Sequence, residues 1–169
     1  MFLSTLFALL AFAANSVLCR VALDENLIDA ASFTVIRLLS GIVILLAIIL
    51  SNKAEQQKIT SKAKGSWLAA IMLFIYASAF SFGYISLDTG TGALVLFGAV
   101  QITMIITSVI SGNKLHWSEW LGLAIAFSGF VYLITPSLST PSLIGFILMS
   151  VSGMAWAFYT LLGRTSKNP

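Results

Sequence analysis

The chain has 169 residues, of which 59% are hydrophobic and only 9% are charged. A soluble domain of this size does not carry so much apolar surface, so the composition predicts an integral membrane protein. The single cysteine, Cys19, excludes an internal disulfide and any metal site built from several cysteines. The formal net charge of +3 would suit a nucleic-acid partner, but the positions of the charges argue against one.

Six apolar runs follow one another along the chain, each near the roughly 20 residues that a helix needs to cross a bilayer. They are Phe2–Leu23, Ala31–Leu50, Trp67–Leu87, Gly92–Ser111, Trp117–Thr135 and Ser142–Gly163. Polar or turn-forming residues separate the runs, for example Asp24–Asn26 and Pro136–Pro141. The runs do not alternate in polarity as the strands of a membrane barrel do. The sequence therefore predicts an all-α, polytopic membrane protein with six transmembrane helices.

The first run lacks the basic start of a secretory signal peptide, and it exceeds the roughly 7–15 apolar residues of one. We therefore interpret it as an uncleaved membrane helix. Asn15 lies well inside this helix. Polar residues within a membrane helix are candidate functional residues, so the Asn15 amide either bonds a neighbouring helix or meets a solute.

The second run contains one arginine, Arg37, about six residues or ~9 Å from its outer end at the rise of an α-helix. Three interpretations are open. The side chain extends outward to the interface, pairs with Asp29 or Asp88, or binds an anionic substrate. A structural pair with one of the two carboxylates is the favoured interpretation.

The fourth run carries small and polar residues at helical spacing. They are Gly98, Gln101, Ile105, Ser108 and Gly112. An unpartnered amide in hydrocarbon costs several kcal/mol, so Gln101 should face protein or a wet cavity. The face either allows close approach of another helix or lines a path. Thr103 and Thr107 carry less weight, because a helical threonine can bond the preceding turn of its own helix.

The third and sixth runs each carry a helix face that contains aromatic residues. The face on the third run contains Phe74, Ala77, Ser81 and Tyr84, and the face on the sixth contains Trp156 and Tyr159. Such faces usually pack, but carriers of organic solutes also line cavities with them. The candidate substrate-binding residues are therefore Asn15, Ser81, Tyr84, Gln101, Trp156 and Tyr159, with Arg37 as a structural or anionic-substrate contact.

The charges predict the orientation of the six helices. One side of the membrane receives Lys53, Lys58, Lys62, Lys64, Lys114, Arg164 and Lys167. The other side receives Asp24, Glu25, Asp29 and Asp88, with Arg20 just inside its boundary. Because basic loops stay in the cytoplasm, both termini are predicted to be cytoplasmic. The lysines thus act as orientation signals and not as contacts to nucleic acid.

No pattern typical of an enzyme is present. The only histidine, His116, falls in a predicted cytoplasmic turn as a solvated residue. The sequence has no metalloprotease motif, nucleophile elbow or phosphate-binding loop, so we expect no enzymatic activity, no metal and no cofactor. No Asp or Glu lies in the middle of a run, which predicts that these helices do not couple transport to protons.

A faint internal repeat relates the first run to the sixth. Phe12, Ser16 and Arg20 match Trp156, Thr160 and Arg164, each pair 144 residues apart. Each repeat then contains five membrane spans. Because five is an odd number, the second repeat would insert into the membrane in the opposite orientation to the first. Inverted repeats of this kind recur in transporters.

Four segments of the chain stand in a characteristic order and spacing, namely Arg37–Gly41, Thr91–Val95, Trp120–Ala124 with Gly129, and Ala155–Arg164. Together they resemble the EamA-type domain of the drug/metabolite transporter superfamily. The chain departs from the family at Gln101, where proline is common, and at Asn113, where glutamate is common. The resemblance implies a first five-helix repeat over residues 1–136 and the first helix of a second, truncated repeat over residues 141–169.

The resemblance also implies a function. It predicts a multi-pass carrier of the plasma (inner) membrane that exports amino-acid-like metabolites by alternating access, with the lipid bilayer and a small solute as partners. The family usually has ten helices, so either a C-terminal half is missing or several chains assemble, for example as a homodimer. The alternative is a non-transporting half or scaffold that dimerises through small-residue faces, including Gly122, Ala126 and Gly129. In the transport interpretation, Gln101→Ala lowers transport and leaves insertion intact.

Overall fold

The computed structural model of the chain describes residues 2–24, 28–51, 65–113, 116–134 and 142–165. This part contains six helices and no strand, which confirms the predicted all-α fold. The helices are α1 (Phe2–Asp24), α2 (Ala30–Ser51), α3 (Trp67–Gly83), α4 (Thr89–Ile110), α5 (Trp117–Ile134) and α6 (Leu143–Thr165). Helix α3 ends before Leu87, the predicted end of the third run. A turn follows the helix, in which the Ser86 N–H bonds the carbonyl of Gly83.

Side-chain oxygens accept hydrogen bonds from backbone N–H groups at the starts of four of the helices. The Asp29 carboxylate accepts a 2.9 Å bond from the Ser32 N–H, and this bond lowers the pKa of the exposed Asp29 side chain. Ser66 and Ser142 accept in the same way at the starts of α3 and α6. Glu119 accepts from the His116 N–H at 2.7 Å at the start of α5. Each bond satisfies a backbone donor that has no partner within its helix.

Four of the helices are long and apolar enough to cross a membrane, namely α1, α2, α4 and α6. Helix α3 is an apolar helix of 17 residues, and α5 has 18 residues. The spans predicted for these two shorter helices, and the cytoplasmic position of both termini, stay predictions.

Helix α6 lies at the centre of the described helices, packed against both α3 and α4. Its contact face combines Met149 with small residues such as Ser152 and Gly153, all of them buried. The Ser152 hydroxyl donates to the Tyr76 carbonyl of α3 at 3.0 Å. A Cβ atom at Gly153 would lie only 2.5 Å from the Leu96 carbonyl oxygen of α4. Small residues thus let the backbones of α6 and α4 approach closely.

The remaining helices pack more lightly. Helix α2 lies against α3, while α1 and α5 each contact α4 over a small area. None of the described side chains of α5 is buried. This helix accordingly leaves Gly122 and Gly129 without a described neighbour.

The Arg20 side chain connects α1 to the end of α3 by hydrogen bonds. Its guanidinium donates to the carbonyl of Tyr84 at 2.7 Å and to that of Ile85 at 3.4 Å, both just past the last turn of α3. A cation is favourable at a helix C-terminus, where the carbonyls have no partner within the helix. This contact accounts for an arginine on the predicted acidic side of the protein.

We therefore expect Arg20→Met to lower the free energy of unfolding by about 1–2 kcal/mol, because it removes charge-assisted hydrogen bonds. Circular dichroism of the purified protein during heating in detergent measures this change. Arg164→Met is the matched control, since Arg164 is exposed at the end of α6. Equal stability of the two variants would show that the Arg20 contact contributes nothing.

Candidate functional site

Three aromatic residues at the C-terminal half of α3 and just past its end form the centre of the candidate site. Tyr76, Phe80 and Tyr84 lie four residues apart, so they share one helix face. All three are buried, and their rings follow one another at centroid distances of 5.6 and 4.7 Å. The face predicted from the sequence contains Phe74 and Tyr84 but not Tyr76 or Phe80. The repeated four-residue spacing of the three rings is the signal that could have found them.

Rings from three other helices extend this group. Trp156 of α6 lies 4.7 Å from the Tyr76 ring and 5.6 Å from the Tyr159 ring. Phe12 of α1 meets Trp156 edge-on at 6.4 Å and Phe97 of α4 at 6.2 Å. The contacts thus join α1, α3, α4 and α6 at one place.

A small cavity lies among these rings. Its walls include Phe12, Asn15 and Ser16 of α1, Tyr76 and Phe80 of α3, and Trp156 of α6, and α4 closes the remaining side. We call it the aromatic cavity. Its volume is about 10 Å³, which is room for about one water molecule. A solute therefore enters only if the rings move apart.

The structure brings together three of the predicted site residues. Asn15 and Trp156 line the aromatic cavity, and Tyr159 stacks beside Trp156. The Asn15 amide lies in the cavity wall, where it can both donate to and accept from a solute.

Ser81 and Tyr84 lie away from the cavity. The Ser81 hydroxyl is fully buried and donates to the Ala77 carbonyl of its own helix at 2.9 Å. The Tyr84 ring is also fully buried and occupies the space beside Gly92, where an added Cβ would lie 2.6 Å from the ring. In this conformation both residues serve packing within the group of α3, α4 and α6.

Gln101 lies in a second, separate space. Its exposed side chain lines a cleft of about 180 Å³ between α4 and α5, together with Gly98 and with Phe127 of α5. The face that α4 turns to α6 is a different one, which contains Leu96 and Ala99. The predicted small-residue face of α4 is thus not the face of closest helix approach. The prediction that Thr103 and Thr107 bond the preceding turn of their own helix is confirmed, because both hydroxyls donate to carbonyls of that turn at 2.7 Å.

Arg37 contacts aromatic side chains instead of a carboxylate. Its Nη2 donates to the Tyr76 hydroxyl at 3.0 Å, and its guanidinium carbon lies 4.6 Å from the centre of the Phe80 ring. The predicted pair with Asp29 or Asp88 is not formed in the described part of the chain. Asp29 instead accepts from the Ser32 N–H at the start of α2, and Asp88 is exposed before α4.

Among the described residues, no group of three or more His, Cys, Asp or Glu side chains could hold a metal ion.

The candidate substrate-binding residues predicted from the sequence lie in three places of the described structure: the aromatic cavity, the core around α3, and the cleft between α4 and α5. The cavity is the place where aromatic and polar groups from four helices converge, and it can hold the apolar part of an organic molecule against its rings.

Two curated proteins are similar to this chain. An uncharacterized protein of Pseudomonas aeruginosa is 47% identical over 167 residues, which are 99% of this chain and 57% of that protein. A protein of Archaeoglobus fulgidus that is named an uncharacterized transporter is 26% identical over 91 residues, which are 54% of this chain and 32% of that protein. This chain therefore spans little more than half the length of the first and about a third of the second.

No protein-family model matches the chain, and no solved structure matches it. The apolar helices and the similarity to a protein named as a transporter together indicate a multi-pass membrane protein.

Proposed function

We propose that the chain forms part of a membrane carrier that exports small, amino-acid-like metabolites by alternating access. One observation carries this proposal, namely the position of the aromatic cavity. Asn15, Tyr76, Phe97 and Trp156 each lie near the middle of their helices, by the bounds of α1, α3, α4 and α6. In a bilayer this is the depth at which secondary carriers bind their solutes.

The proposed carrier is of the EamA type in the drug/metabolite transporter superfamily, with residues 1–136 as the first repeat and residues 141–169 as the start of the second. The resemblance at Ala155–Arg164 supports this division, as does the central packing of α6 against α3 and α4. The protein would lie in the inner membrane with both termini in the cytoplasm. It would act without enzymatic chemistry or a cofactor, and either a C-terminal half or a second copy would complete it.

Counterflow in liposomes tests the proposal. Liposomes that contain the purified protein are loaded with a mixture of unlabelled amino acids, and radiolabelled amino acids are added outside one at a time. A carrier exchanges the label for the internal pool, so the label accumulates. Liposomes made without the protein are the control. If no amino acid of the panel accumulates above that control, the proposed function is wrong.

Asn15 and Gln101 should differ in their effect on transport. Asn15→Ala removes the amide that lines the aromatic cavity, and we expect a loss of about tenfold in counterflow, equivalent to one hydrogen bond to a polar solute. Gln101→Ala should lower counterflow less, because Gln101 lies in the cleft between α4 and α5. A larger loss from Gln101→Ala, with equal amounts of both variants in the membrane, would move the solute path to that cleft.

A scaffold that does not transport is the second candidate function, and the exposure of α5 favours it. In the described part of the chain, an added Cβ at Gly122 or Gly129 would meet nothing within 4 Å. A face of small residues can pack against a second copy in the membrane. Light scattering in detergent would show a dimer in this case, together with no counterflow. A monomer that catalyses counterflow contradicts it.

A further inference from the structure

The Arg37 side chain is a half-buried cation whose hydrogen bonds are incomplete. Its Nη1 is buried and has no hydrogen-bond partner among the described residues. Its Nη2 donates to the Tyr76 hydroxyl. That phenol oxygen therefore acts as an acceptor, and its own proton has no described acceptor. Nη1–H and the phenol O–H are thus two donors without an acceptor among the described residues, and a further group reaches them only if the surrounding side chains move.

The surroundings of Arg37 hold the cation without neutralising it. The Phe80 and Tyr76 ring centres lie 4.6 and 5.3 Å from its guanidinium carbon, within range of cation–π attraction. No described carboxylate forms an ion pair with it, and the nearest one along the chain, Asp29, accepts from the Ser32 N–H instead. A buried cation is costly unless an anion or acceptors neutralise it. The arrangement therefore lacks one anionic partner.

The two open donors fit one chemical class of partner. A carboxylate has two oxygens, one of which can accept from Arg37 and the other from Tyr76, and such charge-assisted bonds are the strong ones. A phosphate dianion would bring two charges to a single guanidinium. Arg20 of α1 donates to the carbonyls of Tyr84 and Ile85 at the end of α3. The charge balance thus favours a monoanion.

We propose that Arg37 and Tyr76 together bind the carboxylate of the transported solute, which rests on the carrier function proposed above. Tyr76 belongs to both places, because its hydroxyl meets Arg37 and its ring lines the aromatic cavity. A solute whose carboxylate binds these donors would place its apolar part against the cavity rings, including Trp156. Carboxylate recognition by this pair makes the solute an organic monoanion or a zwitterion.

Fluorescence of Trp156 tests the inference. Trp67, Trp117 and Trp120 are largely exposed, so replacing all three with phenylalanine leaves Trp156 as the single tryptophan beside the cavity. Acetate, benzoate, isocaproate and leucine are titrated, each against its own carboxamide. At least one carboxylate should bind about tenfold or more tightly than its amide, the effect of a charged hydrogen bond.

Variants of Arg37 and Tyr76 test whether these two residues cause the preference for a carboxylate over its amide. Arg37→Gln and Tyr76→Phe should each bring the ratio of carboxylate to amide affinity close to one, whereas Arg37→Lys should keep part of it because it keeps the charge. Arg164→Gln is the matched control, since it removes an exposed positive charge at the end of α6 and should leave the ratio unchanged. If Arg37→Gln does not fold, Tyr76→Phe carries the test, because it removes only one hydroxyl.

Several outcomes would overturn the inference. They are equal binding of every carboxylate and its amide, no binding of any carboxylate, and an unchanged ratio in Tyr76→Phe and Arg37→Gln. The failure of the carrier function would look different. Carboxylate binding without any counterflow would remove the transport proposal, whereas counterflow without carboxylate preference would remove this inference alone.

Discussion

The substitution Gly153→Ala should lower the free energy of unfolding by about 1–3 kcal/mol, the usual cost of overpacking a well-packed interface. The new Cβ would lie 2.5 Å from the Leu96 carbonyl oxygen, 2.7 Å from the Ala99 Cβ and 3.2 Å from the Val100 nitrogen. Two of these neighbours are backbone atoms of α4, so no side-chain rotation relieves the clash. Helices α4 and α6 must therefore move apart at this position.

Gly163 provides the control within the same helix. An added Cβ at Gly163 meets nothing within 4 Å of described atoms, so Gly163→Ala removes the same flexibility without a clash. Alanine is the better helix former by about 1 kcal/mol, and this variant should match or exceed the parent in stability. Thermal unfolding in detergent, followed by circular dichroism, compares the two. If Gly153→Ala is as stable as Gly163→Ala, then α4 and α6 do not approach each other as closely as described here.

The helices could be predicted from the sequence because their cause is local. In a bilayer every backbone polar group must bond within its own helix, so an apolar run of sufficient length specifies a helix wherever it packs. The bonds of Thr103 and Thr107 to the preceding turn were predictable for the same reason, since they involve residues only four apart. The described ends of α1 and α2 accordingly lie within one residue of the predicted runs.

The packing faces could not be predicted, because nearly every face of these helices is apolar. Gln101 stood out as a polar residue in the fourth run, yet α4 turns Leu96 and Ala99 toward α6. Which glycine matters depends on the opposing backbone: Gly153 meets α4 at close range, while Gly163 of the same helix meets nothing. Periodicity within one helix contains no information about that opposing surface.

The partner of Arg37 illustrates the same limit at the candidate site. Charge alone favoured Asp29 or Asp88, but the guanidinium lies against Tyr76 and Phe80 of α3. The contact joins residues 39 positions apart in the chain. It depends on how α2 lies on α3, which packing decides and local sequence does not.

Substitution of Trp156 should have a large effect on transport, and the size and shape of the replacement should decide how much transport is lost. The indole lines the aromatic cavity and contacts Tyr76, Tyr159 and Phe12 through its ring. Trp156→Ala leaves these rings without their common neighbour, and large-to-small changes of this kind cost about 3–5 kcal/mol when the side chain is fully packed. We expect counterflow to fall at least about tenfold, since the cavity then loses the wall against which a solute packs.

Trp156→Phe separates the role in the cavity from the role in packing. Phenylalanine keeps a ring beside Tyr76 but lacks the indole N–H, so the protein should fold and keep most of its counterflow if the ring surface is what the solute contacts. Both variants are compared at equal amounts in liposomes, at a temperature below the unfolding of the less stable one. If Trp156→Ala transports as fast as the parent under these conditions, the indole serves packing alone. The aromatic cavity would then not be the solute site, because no solute could cross it without contact with the largest ring in its wall.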